Sequence, residues 1–483
     1  MLKSVITPVF SLILTAGLMV SAVPAAHASN ETMLELLKIL RDKGSISDDE
    51  YSLLRNTALA DEEQQMAKQM KQEKMQTASK SLPKITTKGK LEFDDREGNK
   101  FKIGGRLQSD YSFSSRDGGF QDESRNEFAR ARLYLSGTAF KDFDFKFQYD
   151  FEDLDDNSQG IEDAYIRYTG FDSVDITIGQ RKAPYSLSEL TSSKYIAFID
   201  RSFVADIFNE SNIGLGNRNP GITFTAKPAK NTIVEGGFYT LRQNDGGSDS
   251  DSIAPREIND GHGITGRIVY APLYDKRARQ LVSVGLSGGY RNYPNGGEDG
   301  IGNIDADGNS PLGRDIIDSE SNIYADSYTS FNLNLAAQYE RFWLSGEYFQ
   351  GSFDLAQEST AGTGLDADSL SGYYIQGGVF LTDDSRGYKN GAWDKVNVSN
   401  PVTSGGIGAW EMAIRFDQAE LEAALADNGI EQDPSAFTFA LNWYPITNIR
   451  LQANYVSLFC GDVGDCDFVG KPDIFALRTQ IFF

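Results

Sequence analysis

The chain has 483 residues and carries 46 Lys and Arg against 69 Asp and Glu, a formal charge of −23. So acidic a balance excludes a general nucleic-acid binder, whose footprint is basic. The cysteines are Cys460 and Cys466 and the histidines His27 and His262, which is too few for an ordinary metal centre, and no cofactor is indicated.

Met1-Leu2-Lys3 is followed by an apolar run from Val5 to Val23 and by the small residues Ala26-His27-Ala28. This predicts a secretory signal peptide over 1–28; Pro8, Ser11, Gly17 and Ser21 interrupt the run too often for a membrane anchor. Beyond it no apolar run approaches the roughly 20 residues of a membrane helix. An exported chain of this kind is soluble or forms an outer-membrane barrel. From 29 to 82 the period is helical. Met33, Leu36, Leu37 and Leu40 share a face, Gly44 ends the run, and Ser47-Asp48-Asp49-Glu50 reads as an N-terminal cap with acids in the first turn. The polar tract from Asp61 to Thr77 fits a periplasmic coiled coil and a flexible spacer equally well. Pro83 and the charges up to Lys100 mark a linker, 83–100.

From Phe101 the period becomes two. Phe143, Phe145, Phe147, Tyr149 and Phe151 alternate with Asp144, Lys146, Gln148, Asp150 and Glu152. Aromatic rings on one face and ionic groups on the other fit a wall between lipid and a water-filled lumen. The pattern recurs to Phe483 and gives about sixteen strands, an even number that closes into a transmembrane antiparallel β-barrel with an aqueous channel. The fold class is therefore all-β, a barrel over 101–483 preceded by a short helical segment. Short turns such as Lys141-Asp142 alternate with long connections, as outer-membrane barrels require. Thr382 to Gly408 is the exception, long where a short turn is expected. Much of the acid lies in the long connections; Asp305-Ala306-Asp307-Gly308-Asn309 could coordinate calcium or be plain solvated loop. Cys460 and Cys466, close together in the last long connection, predict a local disulfide in an oxidising compartment.

The longest ordered-looking connection runs from Gly179 to Asn219, roughly forty residues where ordinary loops are far shorter. It carries Arg181-Lys182, Ser192-Ser193-Lys194 and Arg201 among aromatic and aliphatic residues. The alternation turns Arg106, Arg130, Arg132 and Arg167 toward the lumen, with further cations at Lys102, Lys146, Arg267, Arg291, Arg415, Arg450 and Arg478. Inward carboxylates such as Asp110, Asp150 and Asp163 make the lumen mixed. Arg130 and Arg132 form the densest cationic pair; they either meet a solute oxyanion or balance Asp110 and Asp150.

The ordered series Phe128-Ala129-Arg130-Ala131-Arg132-Leu133-Tyr134-Leu135-Ser136-Gly137, Asp163-Ala164-Tyr165-Ile166-Arg167-Tyr168, Gly179-Gln180-Arg181-Lys182, Leu190-Thr191-Ser192-Ser193-Lys194, Gly408-Ala409-Trp410-Glu411 and Asn442-Trp443-Tyr444-Pro445 resembles the phosphate-selective porins of the O and P type over about 101–483. The resemblance implies a trimeric sixteen-stranded porin in a Gram-negative outer membrane, embedded in lipid. Its third loop, about 180–218, would fold inward as a constriction, and arginines would feed a phosphate or polyphosphate site. Arg130 and Arg132 would be wall arginines of that site, and Ser192, Ser193 and Lys194 its loop donors. Lys182, Arg201, Arg106 and Arg167 complete the pore-lining candidates. Alternatives are a porin of broader solute range and, remotely, a barrel enzyme, which would have to use His262.

Overall fold

In the computed structural model the chain forms two units, Met1–Leu82 and Pro83–Phe483. The structure describes residues 30–81, 84–86, 91–115, 123–152, 160–211, 213–240, 261–294, 301, 304–306, 317–318, 323–355, 368–421, 433–460 and 473–483. The expected signal peptide, Cys466 of the expected disulfide, and Asp307 to Asn309 of the calcium candidate lie outside the described residues.

The first unit is a helical hairpin of α1 (Asn30–Asp42) and α2 (Asp48–Ser81). Gly44 at φ +67° makes the left-handed exit from α1. Ser47 then starts α2 with a reciprocal cap: its hydroxyl accepts from the Glu50 amide at 3.3 Å, and the Glu50 carboxylate accepts from the Ser47 amide at 2.8 Å. Leu37 and Ala58 are buried, and Arg41 lies 4.7 Å from the Tyr51 ring centre.

The second unit is built on sixteen strands: β1 (Lys100–Ser115), β2 (Glu123–Ala139), β3 (Phe143–Asp150), β4 (Ile161–Tyr168), β5 (Val174–Lys182), β6 (Arg218–Ala226), β7 (Thr232–Thr240) and β8 (His262–Asp275). The other eight are β9 (Gln280–Asn292), β10 (Ala325–Tyr339), β11 (Phe342–Leu355), β12 (Ser369–Phe380), β13 (Ala409–Glu420), β14 (Pro434–Ile446), β15 (Ile449–Cys460) and β16 (Asp473–Phe482). Each pairs antiparallel with the next, and β16 pairs with β1, Arg478 opposite Asp110, so the sheet closes. Closure satisfies the backbone groups of every strand, the condition for crossing hydrocarbon without helices.

Residue type dictates which face points where. On β1, Leu107, Tyr111 and Phe113 are exposed on the outside while Gln108, Asp110, Ser112 and Ser114 are buried inside. On β14, Phe437, Phe439 and Leu441 face out and Thr438 and Asn442 face in. Apolar side chains facing out and polar ones facing in are stable only with lipid outside and water or polar partners inside. Phe140 and Lys141, at φ 53° and 70°, make the tight β2–β3 turn at the short-turn rim.

Three boundaries differ from the sequence expectation. The segment read as a linker contains the short strands Lys84–Thr86 and Leu91–Asp94, and the latter pairs with β1, Phe93 opposite Phe101. The third long connection shortens to 183–217, because β5 runs on through Lys182 and β6 begins at Arg218, which turns Arg181 and Lys182 into wall residues. The anomalous stretch between β12 and β13 is a hairpin, Gly387–Lys389 with Ala392–Asp394, followed by a 3-10 turn at Val402–Ser404. It enters the barrel from the short-turn end: Tyr388 Oη lies 2.7 Å from Ser283 Oγ, and Trp393 Nε1 donates to Ser345 Oγ at 3.3 Å.

Candidate functional site

The connection 183–217 lies inside the barrel, and its local sequence explains its shape. Ser186 caps α3 (Leu187–Leu190) by accepting from the Glu189 amide, and Ser202 caps α4 (Phe203–Asn209) by accepting from the Ala205 amide. The carboxylate of Glu347 on β11 accepts from the Leu187 and Ser188 amides at 2.9 and 2.6 Å, and from Tyr374 Oη at 2.6 Å. Phe203, Val204, Ile207 and Phe208 of α4 are buried among Phe349, Tyr374, Val456 and Ile474 of the wall, with Phe208 stacked on Phe349 at 5.1 Å.

Between the two helices, backbone carbonyls are held by the far wall. Arg415 donates to Asp200 O and Arg201 O at 3.0 and 3.1 Å, and Arg450 to Ile196 O at 2.5 Å. Asn442 donates to Ala197 O at 2.8 Å, and Arg478 reaches Ile199 O. Arg386, from the inward hairpin segment, reaches Tyr195 O and pairs with buried Glu411 at 2.8 Å. Arg415, Arg450 and Arg478 are therefore loop tethers rather than lumen charges offered to a solute. The β11–β16 side of the lumen is filled by these contacts.

The open space lies on the other side. A cavity of about 450 Å³ is bounded by β1–β6 and the inner loop and is lined by ten Lys and Arg side chains against four carboxylates. All nine residues expected from the sequence reach it: Arg106, Arg130, Arg132, Arg167, Lys182, Ser192, Ser193, Lys194 and Arg201. Their partners divide them. Arg132 is bonded to Asp150 and Glu162, Lys182 to Glu189, and Arg201 lies 3.4 Å from Glu189 and 3.0 Å from Glu210. Arg106, Arg130, Arg167 and Lys194 have no carboxylate partner among the described residues. Arg106 donates to Ser193 Oγ at 2.6 Å, and Arg167 to Thr177 Oγ1 at 3.1 Å. Lys194 lies between the rings of Tyr195, Phe482 and Tyr134 at 5.2, 5.3 and 5.7 Å. Asp110, read from the sequence as a counter-charge to Arg130, is instead held by Arg478 at 2.5 Å.

The strand register sharpens this picture. Arg106 stands directly opposite Arg132, and Gln108 opposite Arg130. Like charges facing each other across a strand pair destabilise a sheet; here Asp150 and Glu162 offset the repulsion through Arg132, and Arg106 is left to the Ser193 hydroxyl. Arg218, Glu162, Glu189 and Glu210 also line the cavity and were missed in the sequence. Pro220 and Gly221 separate Arg218 from the alternation that starts at Ile222, and nothing local shows that the two loop glutamates meet the wall cations. Burial, then the neighbouring Arg106, Lys146 and Lys102, pulls the Lys194 ammonium down to about 7. Burial, reinforced by Glu210 and opposed by Arg201, lifts the Glu189 carboxyl to about 7.

Among the described residues no group of three or more His, Cys, Asp or Glu could hold a metal ion. His262 packs against Phe238 at 5.5 Å at the start of β8.

The family model "Phosphate-selective porin O and P" matches residues 101–483. Porin O of Pseudomonas aeruginosa is 29% identical over 437 residues, 83% of this chain and 92% of that protein. Among solved structures, OmpT of Vibrio cholerae covers 83% of this chain and 100% of its own with a TM-score of 0.48 at 9% identity. An anion-selective porin from Comamonas acidovorans gives 0.46 at 13%, with 80% and 100% covered. With its closed barrel, inward polar face and cation-lined cavity, the chain belongs to the phosphate-selective porin O and P family and is an outer-membrane channel rather than an enzyme.

Proposed function

We propose that the cavity between β1–β6 and the inner loop is the selective path of the channel, and that it passes small oxyanions, phosphate or polyphosphate foremost, by passive diffusion. The carrying observation is the set of four cations without carboxylate partners among the described residues, Arg106, Arg130, Arg167 and Lys194, beside the Ser192 and Ser193 hydroxyls. Rings of Arg and Lys select anions. Here an oxyanion that sheds water is met by charge-assisted hydrogen bonds, which are shorter and stronger than neutral ones. The paired cations keep the site from holding the ion permanently, because Glu162, Asp163, Glu189 and Glu210 compete for them. The inner loop then acts as the constriction, presenting Ser192 to Lys194 opposite the wall arginines. Reversal potential across a KCl gradient in planar bilayers tests this: chloride is expected to be preferred over potassium. Lys194→Glu is expected to lower that preference, and an unchanged ratio would favour a porin of broader range.

Anion preference should also depend on pH. Burial lowers the Lys194 ammonium and raises the Glu189 carboxyl, each to about 7, and protonating either adds one positive charge to the cavity. The chloride-to-potassium permeability ratio is therefore expected to fall as pH rises from about 6 to about 8. Chloride has no titration in that range, so a flat profile would show that neither group faces the permeating ion.

We infer three further properties. The resemblance to trimeric porins supports a homotrimer, which unheated gel mobility would test. β1 starts at the short-turn rim, which supports a periplasmic place for the helical unit before it. The leader pattern at Ala26-His27-Ala28 supports cleavage after residue 28, and mass spectrometry of the mature N-terminus would test it.

A further inference from the structure

The stretch of the inner loop that presents Ser193 and Lys194 is gripped from the short-turn end. Ser192 O accepts from the Tyr195 amide at 2.7 Å, which closes a β-turn with Ser193 and Lys194 at its two central positions. The inward hairpin segment holds this turn on both sides. Thr191 Oγ1, just before it, accepts from the Trp393 amide at 3.3 Å, and the carbonyl of Tyr195, its last residue, accepts from Arg386 Nη2. Thr191, Trp393 and Arg386 are all buried. The wall's contacts to the turn's backbone are looser: Arg450 reaches Ser193 O at 3.4 Å and Gln480 reaches Lys194 O at 3.3 Å, both past the usual range. The Arg386 contact is the close one.

Arg386 is itself fixed in direction. Its Nη1 pairs with Glu411 at 2.8 Å, and the rings of Trp343 and Trp393 lie 4.7 and 5.7 Å from its guanidinium carbon. The Glu411 carboxylate also accepts from Trp343, Asn442 and Tyr444 at 2.9, 3.0 and 2.7 Å, so it has no freedom to turn away. A buried ion pair adds little net stability, because desolvation offsets the attraction; what this one supplies is a guanidinium aimed at Tyr195 O. The hairpin behind it is braced on three strands, through Arg267 of β8, Ser283 of β9 and Ser345 of β11.

We propose that Arg386 and Thr191 are positioning residues for anion selection: through them the inward hairpin sets where the turn with Ser193 and Lys194 stands against Arg106 and Arg130. This rests on the reading of the cation-lined cavity as the anion path. Neither Arg386 nor Thr191 lines that cavity, so each acts through the turn and not on the solute. Charge-assisted hydrogen bonds are made at about 2.7–2.9 Å, and a turn displaced by about 1 Å no longer supplies one. The strand wall fixes half of the site and the hairpin fixes the other half.

The test is a double-mutant cycle read as block of single-channel chloride current by inorganic phosphate. Arg386→Lys keeps a positive charge beside Glu411 and gives up the planar fork that reaches Glu411 and Tyr195 O together. It is expected to weaken block about tenfold, the usual effect of losing the charged donor it positions. Lys194→Ala is expected to weaken block as well, with the remainder carried by Arg106 and Arg130. In the Lys194→Ala background, Arg386→Lys is expected to cost about threefold or less, the share that falls on Ser193. The same tenfold step in both backgrounds would mean a general loosening of the lumen and overturns the proposal, as does unchanged block in Arg386→Lys alone. Should Arg386→Lys not assemble, Thr191 decides: Thr191→Val is expected to weaken block only while Lys194 is present, and Thr191→Ser, which keeps the hydroxyl, to restore it. Equal block in wild type, Thr191→Val and Thr191→Ser overturns the positioning role and leaves the anion path standing; a wild-type channel that phosphate does not block overturns both.

Discussion

Arg130→Gln is expected to weaken phosphate block of chloride current roughly ten- to a hundredfold, because a charge-assisted hydrogen bond contributes about 1.5–3 kcal/mol and 1.4 kcal/mol is a factor of ten. Arg130 faces the cavity with no carboxylate or hydrogen-bond partner among the described residues, so its removal leaves no buried charge uncompensated. The variant should fold, keep its heat-modifiable gel mobility and keep its conductance. Arg132 is the contrasting case. It is bonded to Asp150 and Glu162, so Arg132→Gln would take the cationic partner from Asp150, while Glu162 keeps Arg218 at 2.7 Å, and would lose anion preference together with stability. Equal phosphate block in wild type and Arg130→Gln would show that the cation without a partner is not part of the path.

The second large effect concerns the tethers. Arg415 and Arg450 together hold the carbonyls of Ser193, Ile196, Asp200 and Arg201. Leaving a buried acceptor unsatisfied costs about 1–3 kcal/mol, so Arg415→Gln with Arg450→Gln removes several kcal/mol from the docked state of the loop. Arg415 also pairs with buried Asp417 on its own strand at 3.0 Å, so part of the cost falls on the wall, but the backbone ladder of the sixteen strands uses none of these contacts and the barrel should persist. The expected result is a roughly twofold or larger rise in single-channel conductance, with loss of phosphate block, as hydrogen-bond and charge rings that line a pore are displaced. Unchanged conductance with unchanged block would mean that α4 and the remaining contacts of Glu347, Asn442, Arg386 and Arg478 suffice to hold the loop.

The wall was legible because alternation is a local property. Phe143 to Phe151 announce an outward aromatic face whatever the rest of the chain does, and the expected strand count matches the sixteen observed. Arg106, Arg130, Arg132 and Arg167 follow from the same parity. What parity cannot show is the partner across the lumen. Arg415, Arg450 and Arg478 have the same sequence signature as Arg130, yet each is consumed by backbone carbonyls more than two hundred residues away in the chain. Glu411 likewise reads as one more inward acid, whereas it gathers Trp343, Arg386, Asn442 and Tyr444 beneath the loop tip. The stretch from Thr382 to Gly408 stood out only by its length. Its inward course depends on Tyr388, Trp393 and Gly391 meeting residues of β8, β9 and β11, contacts that no window of sequence contains.

The central claim is that a cation-lined path between β1–β6 and the inner loop selects oxyanions. Its most direct test is titration of single-channel chloride current with inorganic phosphate in the wild-type protein. Saturable block, in a channel that prefers chloride over potassium, is the predicted result; a potassium-preferring channel whose current phosphate leaves unchanged would contradict it.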